Sequence, residues 1–528
     1  MSHRSKLQAS LLIAACALPF MRCSTTQIVR NDGDATGAGG ASGETGSGGD
    51  DAGVGGSSGN RSGGSAGDDG MASGGEGGSG GAVPSAGAAG LGGDEGSSGR
   101  CAPNPCQNGG ECMNTLGDFT CRCDTSHTGK TCELLRFETL DLTTAEMPQV
   151  FGTIAKVSAD GTVIATNVTI ADEQGAGGAG AVPESHTRAM RWSREEGVVL
   201  LEPPPGFLDS SANAISADGR VVVGTASDAA STMAVRWVLD GDAEELGVLP
   251  DDDSSTARVV NRDGSVIAGV SVVTDEIHTF RWIEGSGLEG LAGVAEGLNA
   301  IPTGIAEPAG TFVIVGSLTT TDDGTPRSGF FWPEVASASE LGPAAGDTGA
   351  AVNGVNSDGT VIVGATVASD GSRRAARWAG AGSVPDVLAP SSSAAMSVSD
   401  DGARIYLLVN PADGPFGVPW GNPAILSEGS GQVNLDVLES KFACGVSLAR
   451  APASGTPFAG FCAGPPEATL WDAEGDVSLL FDDVVEWGFE VSEFLPPFFV
   501  DGVSSDGKTI VGSASLVGGR DLWIARLP

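Results

Sequence analysis

The sequence predicts an all-β chain. A β-propeller of about eight four-stranded blades is preceded by a small disulfide-rich module and a disordered Gly-rich linker. Three observations carry this. A unit of four short strands recurs through the C-terminal three-quarters of the 528 residues. Six cysteines crowd between Cys101 and Cys132. A long Gly-dominated stretch precedes them.

The repeat is clearest at residues 211–250. A short apolar strand leads to Asp218-Gly219, then to Val221, Val222, Val223 and Gly224, then to a strand ending in Arg236-Trp237, then to a Leu-rich strand. Asp-Gly recurs at 263–264, 358–359 and 506–507. Both residues tolerate the left-handed region, so the pair suits a tight hairpin turn. The β-branched run after it predicts a strand buried on both faces. Its closing Gly predicts close backbone approach. Trp192, Trp237, Trp282, Trp332, Trp378, Trp420, Trp471 and Trp523 are each expected to end a third strand. Their spacing of about 45 to 50 residues suits one blade per Trp. A single blade cannot cover its faces, and radial stacking can. Eight units predict eight blades. The sixth and seventh are the most degenerate, which leaves seven as the alternative.

Asp-Gly, Val-Val-Gly, Arg-Trp and Leu-Gly (Leu246-Gly247, Leu341-Gly342) together resemble the HAF family of extracellular repeats over about residues 137–528. The resemblance implies an extracellular propeller-like fold and no catalytic residues. The last repeat ends at Trp523 to Pro528 without a fourth strand. Residues 136–142, just before the first repeat, are expected to supply it.

The N-terminus carries His3, Arg4 and Lys6, then the apolar run from Leu11 to Ala15. This is a secretory signal pattern, too short to span a membrane. Ile13-Ala14-Ala15-Cys16 resembles a bacterial lipobox. The resemblance implies cleavage after residue 15, lipidation of Cys16 and, with Ala17 following, the outer membrane. Cys23 follows Arg22 and is left unassigned. From residue 16 to 100 the chain is read as lipid anchor and tether, because such composition buries too little apolar surface to offset its ordering entropy. An r.m.s. span of about 45 Å is expected for about 70 residues.

Residues 101–133 form the next unit. About 32 residues cannot build a sufficient core, so disulfides must replace it. Spacing alone leaves every pairing open. The stretch Asn104-Pro105-Cys106-Gln107-Asn108-Gly109-Gly110-Glu111-Cys112, with Gly117, Phe119 and Gly129, resembles an EGF-like domain. That resemblance implies Cys101–Cys112, Cys106–Cys121 and Cys123–Cys132. Asn114 matches a ligand position of calcium-binding members. The acidic cluster those members carry before the first Cys is absent, and one ligand is not a site. No cofactor is expected. Cys444 and Cys462 flank the turn Ser454-Gly455 symmetrically, and a cross-strand disulfide is expected.

A net charge of −39 disfavours nucleic acid and anionic headgroups as partners. The four His (His3, His127, His186, His278) form no ligand pair, so neither a His metal site nor a triad is expected. Tyr406, the single Tyr, is read as packing. Asp251-Asp252-Asp253 and Asp322-Asp323-Gly324 are read as solvated turns, although calcium or acid–base work is open to them. The Arg of Arg-Trp is read as stacking or pairing between blades, with a ligand ring as the alternative.

Two functions follow. The first is a surface-displayed lipoprotein, expected to be a monomer, whose non-catalytic propeller binds an extracellular protein or glycan. The second is a secreted glycosidase-like hydrolase that uses acidic loop residues.

Overall fold

The computed structural model describes residues 100–528 except for 116–117, 141, 143–150, 153–154, 172–184, 240, 275, 296, 390–391, 414–418, 428–430, 435–443, 447–457, 463–466, 473–475, 490–493, 517–518 and 528. The signal segment, Cys16, Cys23 and the Gly-rich stretch lie outside the described residues, as do Gly117 and Ser454-Gly455.

The first module is a hairpin of Glu111–Asn114 with Phe119–Arg122, followed by the pair His127–Thr128 and Leu134–Leu135. Disulfides join Cys101–Cys112, Cys106–Cys121 and Cys123–Cys132. Cys132 is fully buried, so sulfur occupies the centre that a larger domain fills with hydrocarbon.

Eight antiparallel blades follow. Blade 2 shows the plan, with strands Asp209–Ile215, Val221–Ser227, Thr232–Val238 and Glu244–Gly247 in sequential order. Blades 6 and 7 are separate four-stranded units, which removes the seven-blade alternative. Blade 6 is Ser393–Val398, Arg404–Asp413, Pro419–Ser427 and Gly431–Asn434. Blade 7 is Cys444–Val446, Phe458–Cys462, Glu467–Trp471 and Val477–Leu479. A short pairing of Trp420 with Gly445 and Gly421 with Cys444 joins them into one sheet. In the first hairpin of blade 7, Cys444 stands directly opposite Cys462.

The core is cut into slices between blades. One slice holds Ala165, Val222 and Trp237 from blades 1 and 2; the next holds Val221, Val223, Ile267 and Trp282 from blades 2 and 3. Each second strand thus supplies both slices, which is why it reads as an unbroken apolar run. Its closing Gly has a steric reason. Strand 1 bulges between Ala212 and Ala214, and a Cβ on Gly224 would sit 1.8 Å from the Ser211 carbonyl oxygen. The same approach recurs at Gly269, Gly316, Gly364 and Gly512, with distances of 2.0 to 2.2 Å.

Two of the eight Trp depart from the expected position. In blades 1 to 5 the Trp faces the residue two before that Gly, as Trp237 faces Val222. In blade 6 Leu426 takes this place opposite Ile405, while Trp420 opens the strand, opposite Ala412. In blade 8 Ala525 takes it opposite Ile510. Trp523 lies two residues earlier, opposite Gly512, where its ring fills the space left by the missing side chain. Phe280 and Phe330 cover Gly269 and Gly316 in the same way.

The turn between strands 1 and 2 also differs in detail from the expected hairpin. Only its Gly is left-handed: Gly219 has φ +72°. The Asp works through its side chain. Asp218 Oδ1 accepts the Ser216 hydroxyl (2.6 Å) and the Arg220 N–H (3.0 Å), while Ser216 Oγ accepts the Val221 N–H (2.9 Å). Ser158-Asp160, Asn261-Asp263, Asn356-Asp358, Ser399-Asp401 and Ser504-Asp506 repeat this geometry. The turn Gly also presses on the preceding blade: a Cβ on Gly264 would lie 2.2 Å from Val221, and one on Gly219 2.7 Å from Val163. Asp263 and Asp358 are held below the usual carboxylate range, each chiefly by the hydroxyl and then the N–H of the residue two further on. The Ser399 hydroxyl and the Ala403 N–H do the same for Asp401.

The ring closes as expected, on a strand from the start of the chain. Phe137–Leu140 completes blade 8 by pairing with its last strand, Phe137 opposite Ala525 and Leu140 opposite Leu522. Phe137 is buried against Trp523, Phe481 and Phe489. Glu138 bridges Arg526 (2.7 Å) and Arg194 of blade 1 (2.6 Å). Arg526 also donates to the Leu135 carbonyl (2.9 Å), which ties the first module to the closing strand.

Two predictions follow from these contacts. Deleting residues 136–142 should lower the melting temperature far more than deleting 101–133, since the first change exposes a strand edge and an apolar face. Equal melting temperatures would remove the closing role. Asp263→Ala should cost about 1–2 kcal/mol at neutral pH, because several donors lose their acceptor. A carboxylate with a depressed folded pKa stabilises above its unfolded pKa and loses that contribution as pH falls through the folded one. Denaturation series should therefore show the gap between the two proteins narrowing below about pH 4. A gap unchanged at pH 3 would assign the effect to something other than the carboxylate.

Candidate functional site

The innermost strands surround a central channel with a cavity of ≈ 330 Å³. The first strands of seven blades contribute to its wall. Six of them carry a bulge at the same place, and the blade 1 strand pairs in the register that follows it, so equivalent residues stand in rings. One ring is β-branched throughout: Val157, Ile215, Val260, Ile305, Val355, Val398 and Val503. The adjacent ring, four residues before the turn Asp (Pro308 in blade 4), is mostly small: Ala214, Gly304, Gly354, Ser397 and Gly502. Polar side chains beside it stitch neighbouring blades. Asn213 donates to the Ala257 carbonyl (2.8 Å) and Asn353 to that of Ala395 (2.7 Å).

Lys156 of blade 1 interrupts the ring of small residues. It is half-buried, and loss of hydration pulls its ammonium below the ordinary lysine range, against the opposing field of Asp501 in blade 8. Both residues line the cavity. Sequence reasoning passed over them. The available signal was a long charged side chain at a repeat position where the other blades carry small or apolar ones.

The residues singled out from sequence are dispersed. Arg191, Arg236, Arg281 and Arg377 form no ligand ring. The Arg236 guanidinium lies 4.1 Å over Trp282 of the next blade and bonds Glu244 (2.7 Å). Arg281 lies 4.3 Å over Trp332 and bonds Glu289. Arg191 pairs with Glu196 and Arg377 with Asp386. Tyr406 is buried in the core, and burial pushes its phenol up to about 12. Asp252 accepts from His278 (3.1 Å). Asp322 and Asp323 cap the backbone of their own turn. Asn114 Oδ1 accepts the Cys101 N–H (3.1 Å), so the atom a cation would need already serves the module's own structure. Among the described residues no group of three or more His, Cys, Asp or Glu could hold a metal ion.

The half-buried Asp228 and the exposed turn carboxylates Asp263, Asp358 and Asp370 are all held low, by hydrogen bonds from neighbouring backbone and hydroxyl groups. Asp483 runs the other way. It sits on the helix Leu480–Glu486 between blades 7 and 8, and burial raises it despite a hydrogen bond from Ser478. That helix belongs to the closing seam, where Phe481 meets Phe137 and Arg136 lies over Trp487.

The comparison with curated proteins returns no match. Solved structures of similar fold include TolB from Acinetobacter baumannii, with 13% identity, a TM-score of 0.29, and coverage of 47% of this chain and 58% of TolB. The propeller domain of the Trilobed protease from Pyrococcus furiosus matches at 12% identity and a TM-score of 0.38, over 71% of this chain and 95% of that domain. The oligogalacturonate lyase of Vibrio parahaemolyticus matches at 12% and 0.40, over 74% and 96%. None of these likenesses carries an activity to this chain. Residues 101–131 match the family model of the EGF-like domain. The chain is thus an EGF-like module with three disulfides, followed by an eight-bladed β-propeller closed by the strand that leaves the module.

Proposed function

We propose that this protein is an exported, lipid-anchored surface protein whose HAF-type propeller binds an extracellular protein or glycan without chemical turnover. One observation carries the reading. The turn carboxylates Asp263, Asp358 and Asp401 serve as acceptors within their own turns, and their lowered pKa values suit fixed loop geometry rather than proton transfer. Rigid loops of differing length on a shared scaffold are where recognition concentrates. Compare Asp228 to Thr232 in blade 2 with Thr320 to Pro326 in blade 4. The disulfide-bonded module supports export. The anchor rests on Ile13-Ala14-Ala15-Cys16, and the tether and module then hold the propeller away from the membrane.

A protein and glycan array probed with the full chain should yield a ligand. Binding to a cationic ligand should weaken as salt rises, given a net charge of −39. Turnover of a glycosidase, esterase or peptidase substrate, abolished by one Asp or Glu substitution, would replace this reading with the hydrolase.

Export and anchoring are tested together. Cys16→Ser should abolish lipid labelling and release the chain from the membrane fraction, where unchanged retention would sink the anchor. Cys444 faces Cys462 across adjacent strands. Non-reducing peptide mapping should recover them as one linked peptide, with about 3 kcal/mol expected from closing a loop of about 17 residues. Recovery of either as an alkylated thiol would contradict the bridge.

A further inference from the structure

Lys156 stands apart from its equivalents in the channel. At the same register position the other described blades carry Ala214, Val259, Gly304, Gly354, Ser397 and Gly502. These side chains are too short to reach across the channel, so the lysine is the long one at its level. It is half-buried and lines the cavity, so its ammonium has lost part of its hydration. Asp501 offsets part of that loss through its field, and a ligand oxygen in the cavity would offset more by accepting from the ammonium.

The rest of the wall narrows the ligand class. The cavity of ≈ 330 Å³ lies at the small end of the usual range for small-molecule sites, about 300–1,000 Å³. Next to Lys156 the wall turns apolar, with Val260, Ile305 and Val355 of the β-branched ring. Two cations line the cavity, the half-buried Lys156 and the exposed Arg262, against the one carboxylate of Asp501. Lys156 beside the apolar wall fits a single anionic group on a compact hydrocarbon body. Asp501 stands against a multiply charged anion, because each added negative charge would meet its field. A Lys also offers a point charge rather than the fork that selects phosphate.

We propose that the central channel binds a small monocarboxylate, its carboxylate on the Lys156 ammonium and its carbon skeleton against the β-branched ring. This site is separate from the outer loops. A failed array would leave it standing, and its own failure would leave loop recognition standing.

The chain has five lysines, Lys6, Lys130, Lys156, Lys441 and Lys508, so their ¹³C-dimethylated forms can be resolved individually by NMR. Cyclohexanecarboxylate added to the full-length protein should move one lysine resonance, the one missing from Lys156→Gln. The neutral isostere cyclohexanecarboxamide should leave it in place. By calorimetry, Lys156→Gln should weaken cyclohexanecarboxylate binding roughly 10- to 100-fold, the usual worth of a charged hydrogen bond, while Lys156→Arg keeps measurable affinity. The proposal is overturned if no lysine resonance moves, if the carboxamide binds as well as the carboxylate, or if Lys156→Gln binds as tightly as the parent. Should Lys156→Gln fail to fold, the comparison of carboxylate with carboxamide on the parent protein decides alone.

Discussion

The propeller depends on one small turn. Its Ser or Asn, its Asp and its Gly do three different jobs at one place. The Asp carboxylate and the Ser hydroxyl take up the N–H groups that a four-residue turn leaves unpaired, as at Ser216-Asp218. The Gly supplies the left-handed residue. Its bare Cα then lets the turn approach the start of strand 2 in the preceding blade, at Val221 for Gly264 and at Val361, just before the strand, for Gly402. Backbone bonds run on from turn to turn: Ala159 N–H to the Ala217 carbonyl, Asp218 to Arg262, and Ser505 back to Ala159. A local hydrogen-bond pattern therefore also sets the spacing between blades. That spacing fixes the width of the channel.

Farther from the axis, Arg and Trp do the same work between the same blades. Arg236 stacks on Trp282 of the next blade while Glu244 and Glu284 neutralise it. The closing seam repeats this layout with the charges exchanged. Glu138 stands opposite Ile524 as Glu244 stands opposite Arg236, and Arg194 follows Trp192 by two residues as Glu284 follows Trp282. Here the carboxylate comes from the inserted strand and the two guanidiniums from the blades on either side. Glu138 is largely buried between them, so its charge requires both partners. A strand shifted by one residue would place Glu138 on the apolar side, against Trp523 and Phe481. The exchange therefore favours one register at the joint that is built from distant parts of the chain.

Much of this was legible in the sequence, for a physical reason. A repeat shows the same constraint many times, so Asp-Gly and the Val-Val-Gly run identified strand, turn and blade together. The missing fourth strand at Arg526 pointed to its replacement at Phe137. What escaped notice lay where one repeat departs from the rest. Trp420 and Trp523 keep the spacing of the other Trp but not their register, because spacing counts residues and register depends on which partner they face. Trp523 could slide by two because Gly512 opposite it is empty. Lys156 was passed over for the opposite reason. Its ring is a column of mostly small residues, visible only once the strand pairing places position 156 level with 214, 304 and 502.

The two modules are also one mechanical unit at their junction. Leu134–Leu135 still belongs to the EGF-like module, paired with His127–Thr128, and Phe137 already belongs to blade 8. A single residue, Arg136, lies between them. Its carbonyl accepts the Arg526 N–H (2.6 Å), and its guanidinium lies 5.5 Å over Trp487. The Arg526 side chain reaches one residue further and takes the Leu135 carbonyl, and burial lowers its pKa even with Glu138 beside it. With backbone bonds on both sides of Arg136, no free linker exists at which the module could turn against the propeller. The module therefore acts as a fixed stem. Any change in the orientation of the module is passed directly to the blades.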